Sequence, residues 1–164
     1  MDEQLQRSLS PGGPHHLLGL MAGRWSGRAR TWLEPGQLAD DSPVAGEITP
    51  LLDGMFAMHR YEGSFQGTKL AGCAIHGFDL GPRRHTMSWV DSFHNGTATM
   101  LSLGREGEES PVSVLGSYGA GDQTWGWRTQ LDLAGPDALV ITHFNITPAG
   151  EEALGVEIRY ERTA

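Results

Sequence analysis

From Gly23 to the C-terminus, clusters of Gly, Pro, Asn and Asp recur at roughly ten-residue intervals, with segments of alternating apolar and polar residues between them. Short strands joined by tight turns produce this pattern. Parallel strands would need crossovers of about a dozen residues or more, and the chain leaves no room for them. The spacing predicts an all-β fold, a closed antiparallel up-and-down barrel of about ten strands.

The first strand reads Arg24 to Glu34, with Trp25, Gly27, Ala29, Thr31 and Leu33 on one face and the arginines on the other. A polar loop is expected from Glu34 to Ser42, followed by a second strand in which Val44, Gly46 and Ile48 alternate inward. Gln66-Gly67 has the length and the glycine of a two-residue hairpin loop between Met55–Phe65 and Thr68–Phe78. Pairing Phe65 with Thr68 sets His59 opposite Ala74 and Tyr61 opposite Gly72, so His59, Tyr61, His76 and Gly72 share one face. A fifth strand places His85, Met87, Trp89 and Asp91 together. Five further strands follow, the last from Ala153 to Arg162.

Ahead of the barrel, residues 1–13 are polar and end in Ser-Pro-Gly-Gly, which predicts a flexible N-terminal arm. Pro14 can open one short helix, which Gly23 stops. Residues 14–164 then form a single barrel domain, a size that buries a real core.

Charge narrows the partners. The formal net charge is -8, from 20 acidic and 12 basic residues, and neither nucleic acid nor an anionic membrane surface suits such a chain. No apolar run is long enough to span a bilayer as a helix. A single cysteine, Cys73, cannot form an internal disulfide, and the Met-Asp-Glu-Gln start lacks a signal-peptide pattern, so a cytoplasmic location is expected.

Gly23-Arg24-Trp25, following the short helix, resembles the Gly-x-Trp signature of lipocalins and other calycins. With His16-Leu17-Leu18, Gly46, Leu52-Asp53-Gly54, Gly77-Phe78-Asp79, Trp89-Val90-Asp91 and Tyr160-Glu161-Arg162, it resembles a bacterial lipocalin-like family of unknown function, similar in shape to nitrobindin barrels. That resemblance implies a basic side chain covering Trp25 at one barrel end, matched here by Arg162 or else Arg159. It also implies a haem-ligating His in the last strand of nitrobindin-like relatives. Ala153 to Arg162 contains none, so no haem cofactor is expected.

The inward face mixes small residues with Trp89, Trp125 and Trp127, which allows an interior pocket or one filled by neighbouring side chains. His59 and His76 lie diagonally, about 7–8 Å apart, with no third ligand assured by spacing, so no metal is expected. Cys73 alternates to the opposite face and reads as an inert small residue. His85, His94 and His143 are dispersed and read as surface or core histidines.

The leading reading is a binding module for a small, mostly apolar organic ligand, with His59, Tyr61, His76, Trp89 and Asp91 lining the site and Trp25 and Arg162 closing the barrel. The alternative is a cofactor-free isomerase or cyclase using an interior His and Asp91 as a proton-transfer pair. A filled interior with an assembling outer surface, such as a homodimer, is the third.

Overall fold

Ten antiparallel strands close on themselves in the order β1-β10-β9-β8-β7-β6-β5-β4-β3-β2, each sequential pair adjacent. The computed structural model describes residues 2–164. Two short helices precede the barrel, α1 (Glu3–Leu9) and α2 (Pro14–Leu20). The strands are β1 (Gly23–Glu34), β2 (Gln37–Leu51), β3 (Phe56–Phe65), β4 (Thr68–Asp79), β5 (Arg84–Asp91), β6 (Met100–Leu103), β7 (Val112–Ala120), β8 (Gln123–Leu133), β9 (Ala138–Ile146) and β10 (Glu152–Arg162).

Turn chemistry sets the register. Gln66 and Gly67 both have positive φ (47° and 81°), as a tight hairpin whose twist matches its strands requires. Phe65 pairs with Thr68, Tyr61 with Gly72 and His59 with Ala74, the register that a two-residue loop predicts. On the other edge of β4, Gly72 faces Asp91, Ala74 faces Trp89 and His76 faces Met87.

Two expectations change. The segment from Gln37 to Ser42, expected as loop, is strand: β1 and β2 turn at Pro35-Gly36 and pair from Glu34–Gln37 onward. Polar residues conceal it, because Asp41 faces outward to Arg28 while buried Ser42 bonds its neighbour Asp40. The expected single helix is joined by a second. α1 lies within the segment expected as a loose arm, whose first residue, Met1, lies outside the described residues. Asp2 caps it, and its buried Ser8 hydroxyl meets His15 Nδ1 at 2.7 Å. A seven-residue helix whose buried side chain is a serine, with only Leu5 and Leu9 half-buried beside it, is too short for its apolar period to reveal it.

The helices mark one end of the barrel as closed. Gln4 reaches the Leu80 carbonyl, and the Trp25 indole donates to the Met21 carbonyl at 2.9 Å. Leu18, Met21, Trp25, Ile48, Val112, Leu131, Leu139 and Ile158 fill this end and are buried. The β1–β2, β3–β4, β5–β6, β7–β8 and β9–β10 connections gather at the other end. Among the described residues no helix is long and apolar enough to cross a membrane.

Candidate functional site

Alternation on three adjacent strands brings His59 and Tyr61 of β3, His76 of β4, and Trp89 and Asp91 of β5 to the inner face. Glycines opposite them do not leave empty space. A Cβ at Gly72 would overlap the Tyr61 ring, and one at Gly46 would overlap Tyr160 Oη and press on His59 Nε2. At these two positions the small residues make room for the protein's own rings, the filled alternative. His59 Nε2 lies 3.0 Å from Tyr160 Oη, and its ring lies 5.1 Å from that of Tyr61. The Trp89 indole donates to Tyr61 Oη at 3.0 Å.

Toward the open end the interior becomes a cluster of flat rings. Trp89 and Trp127 lie 5.9 Å apart and within 14° of parallel; His143 lies 5.3 Å from Trp89 at 9° and 5.4 Å from Trp127 at 22°. The indole N–H of Trp127 can only donate, so His143 Nδ1 accepts from it (3.2 Å) and from the Thr129 hydroxyl (2.8 Å). The proton of neutral His143 therefore sits on Nε2. Tyr118, which donates to Asn145 Oδ1, packs on the outer edge of Trp127.

The connection between β5 and β6, residues 92–99, folds over these rings. His94 packs against Trp89 (5.4 Å) and Trp127 (5.5 Å), and Phe93 meets Phe65 of the β3–β4 hairpin at 4.7 Å. Asp91 holds the loop down. Its carboxylate accepts from the His94 backbone N–H (2.8 Å), His94 Nδ1 (2.6 Å) and the Asn95 N–H (2.7 Å). Its side chain is fully buried.

Protonation follows from burial. Loss of hydration, with a smaller contribution from neighbouring histidines, pushes His59 and His143 down to about 3 and His76 down to about 4. The interior imidazoles are neutral at physiological pH. Burial alone would raise the Asp91 pKa, but the His94 and Asn95 hydrogen bonds outweigh it and hold the carboxyl below its usual range. Burial and the Asp91 charge raise Tyr61, so its phenol stays protonated.

At the closed end Arg162 stands 4.3 Å over the Trp25 ring and donates to the Leu20, Ala22 and Pro136 carbonyls. Arg159 instead lies outside, paired with Glu157. No group of three or more His, Cys, Asp or Glu residues that could hold a metal occurs among the described residues. Three concavities, of about 1380, 850 and 570 Å³, open on the outer wall, lined chiefly by outward residues such as Ser26, Ala45 and Glu62 for the first and Leu101, Leu103 and Leu115 for the third.

Of the five residues read as ligand-lining, Tyr61, Trp89 and Asp91 join the open-end cluster, while His59 and His76 lie deeper in the barrel. His94 and His143 belong to the cluster, and sequence reading passed over both. His143 alternates with Leu139, Ile141 and Asn145, which is a usable inward signal; Asp91 followed three residues later by His94 has the spacing of a side-chain-capped turn.

The chain matches the model of the family described as "Protein of unknown function (DUF1579)" over residues 10–162, and it belongs to that family. No curated protein matches it significantly. Among solved structures it is similar to the S-type phycobiliprotein lyase CPES from Guillardia theta, with a TM-score of 0.57 at 12% identity, covering 100% of this chain and 99% of that one. At this identity the likeness is one of fold.

Proposed function

We propose that this DUF1579 barrel binds a small, flat, mostly apolar organic ligand at its open end, against Trp89, Trp127 and His143. The observation that carries the reading is the position of His94. A loop side chain packs, tilted by 42° and 45°, against two buried indoles, where a planar ligand would gain ring contacts of its own once the loop lifts. The loop's hold on that place runs largely through Asp91.

Binding is favoured over proton-transfer catalysis. A general base works best with a pKa near the operating pH, whereas His59 and His143 are held near 3 and His76 near 4. Asp91 is ionised but already accepts three hydrogen bonds.

Saturation-transfer NMR with 2-methylnaphthalene tests the reading. The wild type binds it saturably, His94→Ala binds it more tightly because the competing ring is gone, and Trp89→Leu loses most of the binding. Unchanged binding by Trp89→Leu, or no binding even by His94→Ala, overturns the assignment.

A further inference from the structure

Below the ring cluster, three buried polar side chains surround one methionine with hydrogen-bonding capacity left over. Met87 pairs with His76 on β4 and with Ser102 on β6, and His85 precedes it by two residues on the same inward face. His76, His85 and Ser102 are 4%, 1% and 1% exposed. Neither Ser102 Oγ nor His85 Nδ1 has a hydrogen-bond partner, while His85 Nε2 donates to the Glu109 carbonyl at 2.7 Å. The His76 ring makes no hydrogen bond among the described residues.

Such groups are rarely left so in native proteins, because burial strips them of water without replacing its hydrogen bonds. Two orphaned atoms, with the unbonded His76 ring beside them on the next strand, mark a place suited to a polar atom. Gly116 on β7 seats the Ser102 side chain. A Cβ at Gly116 would overlap the Ser102 hydroxyl and press on Met100. Met87 is unbranched and can swing aside.

We propose that His76, Ser102 and His85 form the polar end of the ligand site and receive an uncharged hydroxyl or carbonyl oxygen of a flat aromatic compound. This rests on the binding reading above and specifies its ligand. The distance fits one molecule: Trp89 follows Met87 by two residues on the same face, about 7 Å up the strand. The charge state fits as well. A carboxylate or ammonium would enter a wall with no opposite charge free to meet it, because Asp91 is already engaged, so its desolvation would go uncompensated.

Paired titrations with 2-naphthol and the near-isosteric 2-methylnaphthalene test the proposal, with near-UV circular dichroism to verify each variant's fold. The wild type should prefer 2-naphthol by about five- to tenfold, the worth of one good neutral hydrogen bond. Ser102→Ala and His76→Phe should each bring that preference below about twofold. If His76→Phe fails to fold, Ser102→Ala decides alone. Equal binding of the two probes by the wild type, or a preference that survives in the folded variants, overturns this proposal and leaves ring binding intact. Binding of neither probe overturns both readings.

Discussion

The two ends of the barrel are closed by different chemistry. At the helix end, Trp25 is sealed between apolar side chains and Arg162, whose guanidinium ties three backbone carbonyls from two segments together. At the other end, two tryptophans and a histidine are covered by a loop that one carboxylate holds down, with its Phe93 resting on Phe65. The first closure is distributed over many contacts, whereas the second depends mainly on one residue. Segments with few anchors open at low free energy, and binding sites are drawn from that class.

Acid should break this contrast most strongly. His59, His76 and His143 are held near 3, 4 and 3, below the unfolded value of 6.5, so between those limits the unfolded chain binds protons that the fold refuses. Stability is full above about pH 6.5 and falls as pH drops toward 4, by up to about 1.4 kcal/mol per pH unit for each imidazole. Urea midpoints measured from pH 7.5 to 4.5 check this, and flat midpoints would falsify it. His59→Gln should flatten the slope by one proton's share.

Trp25→Ala comes next. Removing the fully buried indole should cost about 3–5 kcal/mol in urea unfolding. A loss below about 1 kcal/mol would mean that the closed end is not held by its plug.

Arg162→Ala should cost about 2 kcal/mol, from its charged hydrogen bonds and its stacking on Trp25. Arg159→Ala, with its side chain outside the barrel, should leave the midpoint where it was. Equal effects would end the distinction between the two arginines.

Asp91→Asn should have a small global effect, about 1–2 kcal/mol, and the most local one. Amide exchange at His94 and Asn95 should rise while that of the β8 and β9 amides holds. Uniform acceleration would show that the loop opens only with the whole barrel.

Much of the barrel is legible in the residues alone. Alternation assigned Tyr61, Trp89 and Asp91 to one face, and Gln66-Gly67 named the register that aligns Tyr61 with Gly72. The helix at Glu3–Leu9 and the first part of β2 escaped because their buried partners are Ser8 and Ser42, whose polarity conceals burial. His94 escaped because a loop has no period, and nothing local shows that it will turn back onto Trp89.

By itself the sequence determined strand number, most turn positions and most of the side chains that face inward, since these follow from local turn geometry and a period of two. Tertiary structure alone decided what the inward residues do. Whether Gly72 leaves a hole or seats Tyr61, whether Asp91 serves a histidine or solvent, and whether Ser102 finds a partner all depend on strands distant in the chain closing to within a few ångströms. That closure is a property of the whole barrel, and no single segment carries it.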